Sequence, residues 1–425
     1  MKKKIGRRNF LKTVGGAVSG LALGSFASQG SVFAKAEKGP IKWGLLDTMS
    51  GIFGVFGKGN GNGTKLAIKE INDKGGILGR PVELIIEDEE ANTEIAARKA
   101  RKLILKDKVD VIQGAASTST TTVIGKICGE HKVIHFNSEF DSKTVLETRS
   151  PYQFNIVPIC EELERASMIG TTMLFKPDEI KRWYVFYPDY SYGRDMRDIY
   201  KRELTKWVPG AELVGVGAHP FGEADYSTHI VKILETKPDV VVSTQWAGDA
   251  LNFIKQAAPT GFFEKIKMFR LNCACTSAIV ALKDKMPAVY ATTEQGQPYL
   301  PKMKKWRDAY FDYHGEWPVE ECSPAYYDAV YMYKRAVEKA KTTKSDAVAA
   351  ALENMDYSGP SGRRKIRKDH QADCEHIILG KLVPSKEFEW KVWDETITAK
   401  IPYEKFKLSN KELIELGCKF CVGRE

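Results

Sequence analysis

The chain has 425 residues, of which 43% are hydrophobic, and this length suits one large domain or two smaller ones. Its formal net charge is +9, but residues 1–36 contain seven basic residues and no acid, so the remainder carries only about +2. A nearly neutral chain has no general electrostatic attraction for nucleic acid, and we expect no nucleic-acid partner.

The first 36 residues have the pattern of a removable export signal. A basic head contains Arg7 and Arg8, an apolar run follows over residues 14–27, and residues 34–36 form an A-x-A cleavage site. The run is too short and too rich in Gly for a membrane-spanning helix, although retention as a membrane anchor is the alternative. The arginine pair, followed by Phe and Leu, resembles a twin-arginine signal, so we expect a periplasmic protein.

Strands and helices alternate along the chain that follows. Runs of branched apolar residues predict strands, and apolar residues at helical spacing predict helices. The predicted strands are 41–46, 82–87, 109–113, 132–136, 153–157, 182–188, 212–219 and 239–245. The predicted helices are 64–73, 91–107, 118–130, 160–174, 192–206, 226–235 and 248–259. This alternation predicts an α/β fold with two doubly wound parallel-sheet lobes and a ligand cleft between them.

The sequence contains no motif of a catalytic or metal site. A Gly-rich loop is predicted over residues 51–63, but Lys58 is followed by Gly59, which excludes a P-loop, and the dinucleotide fingerprint does not fit either. A nucleophile elbow and a zinc-protease motif are also missing. The three acids at 88–90 are predicted to be a solvated strand end. We therefore expect no enzyme, no metal and no cofactor.

Eight cysteines are compatible with disulfides in an oxidising compartment. Cys418 and Cys421 lie in a polar tail, and one C-x-x-C without a second pair is weak support for zinc. We predict a disulfide between them. Cys128 and Cys322 lie in helical patterns and are predicted to be buried thiols.

Small and hydroxyl-bearing residues follow the third predicted strand, in the stretch "VDVIQGAASTSTTT". Ligands of parallel sheets bind beyond the carboxyl ends of the strands, where helix N-termini favour anions. This stretch of small and hydroxyl-bearing residues is therefore predicted to form a seat for a ligand carboxylate. The alternative is that the hydroxyls only cap the following helix.

Several stretches together resemble the type I periplasmic binding proteins of the branched-chain amino acid (Leu/Ile/Val) family, which are receptors of ABC importers. They are "IKWGLLDTMSG", "AIKEINDKGGILGRPVELIIEDEEANTEIAARKARKLI", "VDVIQGAASTSTT", "SPYQFNIVP", "YPDYSYGRD", "SPAYYDAVYMYKRAVEKA" and "LENMDYSGPSGRRKI". The resemblance covers about residues 40–390. It implies two α/β lobes that are joined by three crossover strands and close like a hinge.

The resemblance also implies the lobe boundaries and the ligand contacts. The first lobe would comprise 40–157 and 294–366, the second 158–293 and 367–392, and a C-terminal extension 393–425. Each aromatic contact has the alternative of being ordinary core. The positions that match ligand-contacting segments are Phe53, Phe56, Ala115, Ala116, Ser117, Ser138, Glu139, Phe140, Tyr192 and Trp246, with Glu294, Gln295 and Tyr299 from the stretch between the lobes.

One departure from the family bears on the ligand. Amino-acid binders of the family place a carboxylate after the strand that reads "KMFRL" here, and it holds the ligand ammonium. Residues 272–274 are Asn-Cys-Ala, with no acid. Because a buried ammonium without a counter-ion is costly, we expect an aromatic or aliphatic carboxylate that lacks an amine.

Two other ligand classes stay open. A hydrophobic amino acid requires that Glu139 or Glu294 replaces the missing acid. An amine would be held by Glu139 in a cage with Phe53, Tyr192 and Trp246.

The resemblance implies a small-molecule ligand, an ABC permease in the membrane as partner, a monomer and no cofactor. Two rival functions remain, which are a sensory subunit of the same fold and an amide or ester hydrolase.

The export signal is open to a direct test. We expect the double substitution Arg7→Lys and Arg8→Lys to block export, because the twin-arginine route reads both guanidinium groups. The measurement is the ratio of periplasmic to cytoplasmic protein, with Lys2→Arg and Lys3→Arg as the matched control. Normal export of the double variant would indicate another route.

Overall fold

The computed structural model describes residues 39–271, 276–294 and 297–424, except for the side chains of Thr144, Glu294, Glu395 and Ile397. The predicted export signal, the departure at residues 272–274 and Gln295 lie outside the described residues. What was predicted of them stays a prediction.

The first sheet is parallel, in the order β2-β1-β3-β4-β5. Its strands are β1 Ile41–Asp47, β2 Val82–Asp88, β3 Val111–Gln113, β4 Ile134–Asn137 and β5 Gln153–Asn155. Adjacent residues of a strand face opposite sides, so Val111 and Ile112 enter two separate apolar cores. Both faces of this sheet are covered, and this is why its strands read as continuous apolar runs.

The second sheet is mixed, in the order β15-β14-β10-β9-β8-β6-β7. Its strands are β6 Arg182–Pro188, β7 Glu212–His219, β8 Val240–Ser243, β9 Met268–Leu271, β10 Tyr290–Glu294, β14 His376–Pro384 and β15 Lys391–Pro402. The last two are antiparallel additions to a parallel sheet. A small third sheet contains β11 Asp356–Gly359, β12 Gly362–Ile366 and β13 Ala372–Asp373.

The helices form two groups, and each group accompanies one of the two large sheets. The group of the first sheet comprises α1 Gly54–Asp73, α2 Thr93–Arg101, α3 Thr118–His131, α4 Thr144–Glu147, α11 Lys304–His314, α12 Ser323–Ala340 and α13 Ser345–Leu352. The group of the second comprises α5 Cys160–Leu174, α6 Ser191–Trp207, α7 Ser227–Glu235, α8 Ala247–Ala257, α9 Phe262–Lys265 and α10 Thr276–Leu282. We call each sheet with its helices a lobe.

The predicted fold class is confirmed. The chain passes between the two large sheets three times, after β5, after β10 and before β14. The predicted strands and helices up to residue 259 occur in the predicted order, most with ends that differ by a few residues. The predicted helix 91–107 ends as an α-helix at Arg101 and continues as a π-helical turn over Lys102–Asp107.

The Gly-rich loop predicted over 51–63 was wrong, because α1 begins at Gly54. Close packing overrides the poor helix propensity of glycine at these positions. A Cβ at Gly57 would overlap the backbone oxygen of Thr48, and a Cβ at Gly63 would overlap that of Ser323. The glycines therefore let α1 lie directly against α12 and the end of β1.

The C-terminal segment packs onto the rest of the molecule. The predicted start of the extension at residue 393 falls inside β15. Further on, α14 Asn410–Glu415 follows, and the predicted disulfide between Cys418 and Cys421 is confirmed. Its half-cystines pack in an apolar cluster with Leu146 and Ile159.

Two findings complete the description of the fold. Cys128 and Cys322 are buried thiols, as predicted. Within the described part of the chain, none of the helices is both long enough and apolar enough to cross a membrane.

The contact between α1 and α12 yields a stability prediction. We expect Gly63→Ala to lower the free energy of unfolding by about 2 kcal/mol or more, because the added methyl group must push two helix backbones apart. The measurement is urea denaturation. Lys58→Ala, at an exposed position of the same helix, is the control and should change stability by less than about 0.5 kcal/mol. Equal stability of Gly63→Ala and the wild type would contradict the packing argument.

Candidate functional site: an acidic cleft between the lobes

The cleft lies where the carboxyl ends of strands from both sheets face each other. The lobes touch around it. Ser119 Oγ at the start of α3 lies 3.1 Å from Ser191 Oγ at the start of α6. The ring of Phe53 from the first lobe lies 4.4 Å from that of Trp246 in the second, centroid to centroid. The structure therefore holds the lobes in contact over an enclosed site.

The cavity in this cleft has a volume of about 540 Å³, including its mouth. Carboxylates and aromatic rings dominate its lining. The lining residues are Phe56, Ala116, Thr118, Glu139, Phe140, Asp141, Tyr190, Tyr192, Thr244, Trp246, Ala247, Glu320 and Glu321.

Six of the residues predicted from the sequence line this cavity. They are Phe56, Ala116, Glu139, Phe140, Tyr192 and Trp246. Phe53 stacks behind them against Phe221 and Trp246. Their role as ligand contacts stays a prediction.

The other predicted residues whose side chains the structure describes do not line the cavity. Ala115 and Ser138 are fully buried. Ser117 caps α3 by accepting a hydrogen bond from the backbone N–H of Thr120. Tyr299 packs among Phe388 and Trp390 as ordinary core. Of Glu294 only the backbone, at the end of β10, is described.

The predicted carboxylate seat already holds a carboxyl group of the chain itself. Glu89 Oε1 accepts hydrogen bonds from the Ala116 backbone N–H (3.2 Å), the Thr120 hydroxyl (3.0 Å) and the Thr48 hydroxyl (3.1 Å). The prediction of a solvated strand end was wrong for Glu89, which is 0% exposed. Since the donors meet this internal carboxyl, they are not available to a ligand carboxylate in this arrangement.

Four acids line the cavity from the first lobe. Glu139 and Asp141 lie on the loop after β4, and Glu320 and Glu321 directly precede α12. All four are buried, and none of the described residues that line the cavity is basic. Asn60 Nδ2 donates to Glu139 at 2.8 Å, so helix α1 orients this acid.

Burial makes the charged form of these acids costly. It raises the pKa of Asp141 to about 7, and it raises that of Glu139 and Glu320 well above the ordinary value. The neighbouring acids, Asp47 for Glu139 and Glu321 for Glu320, add to the rise. A bound cation would supply the missing compensation, whereas a bound anion would increase the cost.

The second lobe contributes aromatic rings and unpaired donors. Tyr190 and Tyr192 stack with ring centroids 6.3 Å apart, and the Trp246 ring lies 4.9 Å from that of Phe56. Trp246 Nε1 and Thr244 Oγ1 are buried and have no hydrogen-bond partner in the structure. One wall of the cavity is therefore acidic and the other is largely aromatic.

Among the described residues that line the cavity, sequence reasoning missed seven. Tyr190 and Asp141 are close neighbours of predicted residues along the chain. Glu320 and Glu321 left a weaker signal, an acidic pair directly before an apolar helix. The complete set is Thr118, Asp141, Tyr190, Thr244, Ala247, Glu320 and Glu321.

The comparisons with known proteins agree with the observed fold. Residues 40–379 match the model of the family described as periplasmic binding protein. The chain belongs to this family.

The similar proteins include binding proteins of several organisms. Leu/Ile/Val-binding protein homolog 8 of Brucella abortus is 27% identical over 256 residues, which are 58% of this chain and 60% of that relative's length. Two solved structures have the same fold, both with a TM-score of 0.75. One is a solute-binding protein of an ABC transporter from Rhodopseudomonas palustris, in complex with 3,4-dihydroxybenzoic acid, with 23% identity and coverage of 85% of this chain and 98% of that chain. The other is an amino acid ABC transporter substrate-binding protein from Pseudomonas fluorescens, with 21% identity and coverage of 90% and 99%.

The buried acids make stability depend on pH. Burial raises the pKa of Asp47 to about 7 in the folded chain, against an ordinary value near 3.8. The folded state therefore binds more protons than the unfolded state between about pH 4 and pH 7, so stability falls as the pH rises through this range.

We expect the free energy of unfolding of the wild type to fall between pH 5 and pH 8, with Asp47 contributing on the order of 2 kcal/mol. Asp47→Asn should show a shallower fall, because its amide cannot ionise and can still pair with Tyr326 and with the backbone N–H of Thr48. Urea denaturation at each pH measures this. Asp284→Asn, at an exposed site, is the control. Equal slopes for the wild type and Asp47→Asn would refute the assignment.

Proposed function

We propose that this protein is the extracytoplasmic solute-binding component of an ABC importer. It captures a small organic solute between its lobes and delivers it to a membrane permease, without making or breaking a covalent bond. Membership of the periplasmic binding protein family and a cavity lined by both lobes support this proposal.

We further propose that the solute carries a positive charge, as a primary to quaternary amine. The observation that carries this choice is the lining of the cavity, with four buried acids and no basic residue among the described ones. Among the ligand classes expected from the sequence, a carboxylate ranked first and an amine ranked third. Glu89 reverses this order, because it occupies the donors that the carboxylate was expected to use.

The aromatic wall suits the same ligand class. An ammonium group gains from contact with the faces of Trp and Tyr, and the gain grows when water is excluded. Tyr190, Tyr192 and Trp246 supply such faces opposite the acids, and Phe56 adds apolar contact area. A cation between the two walls would contact both lobes at once.

This division between the lobes explains how a ligand would favour closure. The acids belong to the first lobe, whereas Tyr190, Tyr192, Thr244 and Trp246 belong to the second. A ligand obtains its full set of contacts only when the lobes meet, so its binding energy stabilises the closed form. The closed form is then the one that the permease recognises.

An organic acid is the second candidate ligand. Two observations favour it, namely the unpartnered donors Trp246 Nε1 and Thr244 Oγ1, and the raised pKa of Glu320, which when protonated would donate a hydrogen bond. The two candidates differ in proton exchange. An amine that ionises Glu320 releases a proton, whereas a carboxylate that needs the neutral acid takes one up or exchanges none.

The first experiment is a thermal-shift screen of residues 37–425 with matched pairs, phenylethylamine against phenylpropionate and isoamylamine against isovalerate. We expect the amines to raise the melting temperature and the acids to leave it unchanged. Calorimetry in buffers of different ionisation enthalpy should then show proton release with the amine. Stabilisation by the acids alone, or proton uptake, would replace the amine with the organic acid.

Two substitutions test the residues that we assign to the ligand. Trp246→Ala should weaken amine binding at least tenfold, about 1.4 kcal/mol, because it removes the largest aromatic face. Glu320→Gln should weaken binding and reduce proton release. Trp207→Ala, an indole outside the cavity, is the control. An unchanged affinity of Trp246→Ala for the amine would show that this residue does not contact the ligand.

Two further measurements separate the rival functions. A chemical change of the ligand recovered after incubation would indicate a hydrolase. Ligand-dependent uptake in vesicles that contain the permease separates an importer from a sensory subunit.

A further inference from the structure

The residues that follow β15 are attached to both lobes. We call residues 403–424 the tail. The tail lies beyond residues 40–379, which match the family model, and the function proposed for the cleft does not use it.

The tail is anchored to the second lobe on helix α5. Glu162 Oε1 accepts hydrogen bonds from the Tyr403 hydroxyl at 2.8 Å and from the Leu408 backbone N–H at 3.1 Å. Arg165 Nη1 donates to Glu412 Oε1 at 2.9 Å. Because Glu162 and Arg165 are buried, water competes less for these bonds than for surface ion pairs.

The other anchor is on the first lobe. Arg424 Nη1 donates at 2.7 Å to Oε1 of Glu353, the residue that follows α13, and the Arg424 guanidinium lies 4.0 Å from the centre of the Phe420 ring. Phe420 packs against His370, whose ring stacks on Phe154 of β5. A continuous series of contacts therefore connects the tail to the first sheet.

Between the two anchors the tail packs on the hinge. Leu413 belongs to an apolar cluster that also contains Ile159, at the crossover after β5, and Leu146 of α4. Arg367, on the stretch that leads to the crossover before β14, donates to the Leu408 carbonyl at 3.0 Å. The crossovers are the places where the chain bends when two lobes rotate against each other.

Internal bonds make the tail rigid. The disulfide between Cys418 and Cys421 closes its last turn, and Asn410 Nδ2 ties α14 to this turn by donating to the Cys421 carbonyl at 3.0 Å. Ser409 and Glu412 form a capping box at the start of α14. A rigid element that is fixed to two bodies resists their relative rotation, so opening of the lobes strains or breaks one of the anchors.

We infer that the tail is a brace across the hinge, which favours the closed arrangement of the lobes in the absence of a ligand. Both anchors are present in a structure whose lobes touch around the cleft. Because the brace raises the fraction of molecules in the closed form, it strengthens the apparent affinity for any solute that binds this form. The inference goes beyond the function that we propose for the cleft and does not depend on the charge of the ligand.

The test uses ligand-free protein, residues 37–425, with one anchor weakened at a time. Phe420→Ala together with Arg424→Gln releases the anchor on the first lobe. Glu412→Gln removes the ion pair with Arg165 and keeps an oxygen for the capping box. Lys419→Gln, at an exposed position of the tail, is the matched control. Circular dichroism checks that each variant keeps the helix content of the wild type.

The readout is a group in the cleft. Trp246 Nε1 is buried there, and its signal in the 15N spectrum is the one that Trp246→Phe removes. We expect release of the first-lobe anchor to speed solvent exchange of this indole proton at least threefold, because the lobes open more often. The radius of gyration from small-angle X-ray scattering should increase as well. Glu412→Gln should act in the same direction, and Lys419→Gln should change neither value.

A purely local role of the tail would change exchange only in the tail and in the helices that it touches. The inference is therefore overturned if release of the first-lobe anchor leaves the exchange rate of the Trp246 indole proton unchanged or lowers it. No ligand enters these measurements. A failure to find an amine that binds would contradict the function proposed for the cleft and leave the brace standing.

Discussion

The cleft depends on how closely helix α1 approaches its neighbours. Glycines on two sides of the helix allow close contact with the end of β1 on one side and with the start of α12 on the other. This contact places Asn60 where it orients Glu139, and a Cβ at Gly59 would come within 2.8 Å of Glu320 Cγ. The same helix begins with the turn that carries Phe56 to the opposite lobe. A wider separation would move both the acids and the rings of Phe53 and Phe56, which contact Trp246.

Electrostatics determines what such a site can hold. A helix N-terminus with hydroxyl-bearing residues is ordinarily a good anion site. Here Glu89 already fills that position, and its buried carboxyl satisfies the donors of Ala116 and Thr120. What remains accessible to a solute is the acidic wall formed by Glu139, Asp141 and the pair before α12. The hydroxyl-rich motif thus stabilises the fold, and the cavity itself presents negative rather than positive charge.

The two lobes contribute different chemistry to one cavity. The acids stand on the first lobe, and the tyrosines and Trp246 stand on the second. Desolvated acids are costly in the absence of a counter-charge, so part of the binding energy of a cation comes from relieving this cost. In the function that we propose, ligand capture would be coupled to closure, because the ligand would contact both walls only when the lobes meet.

The sequence by itself determined the alternation of strands and helices, the two α/β lobes and most of the aromatic positions of the cleft. These depend on local periodicity, which is read within a few residues; the strand 212–219, for example, agrees at both ends. The resemblance to the family also pointed to Glu139, Tyr192 and Trp246, which line the cavity.

Only the tertiary structure decided the rest. It made residues 54–63 helical, because packing against distant Thr48 and Ser323 outweighs the local preference of glycine. It brought Glu320, far along the chain, to the same cavity as Glu139, and it filled the predicted carboxylate seat with Glu89. The charge of a cavity is a sum over residues that are remote in sequence, so the sequence predicted several of the residues that line the cavity but not their combined charge.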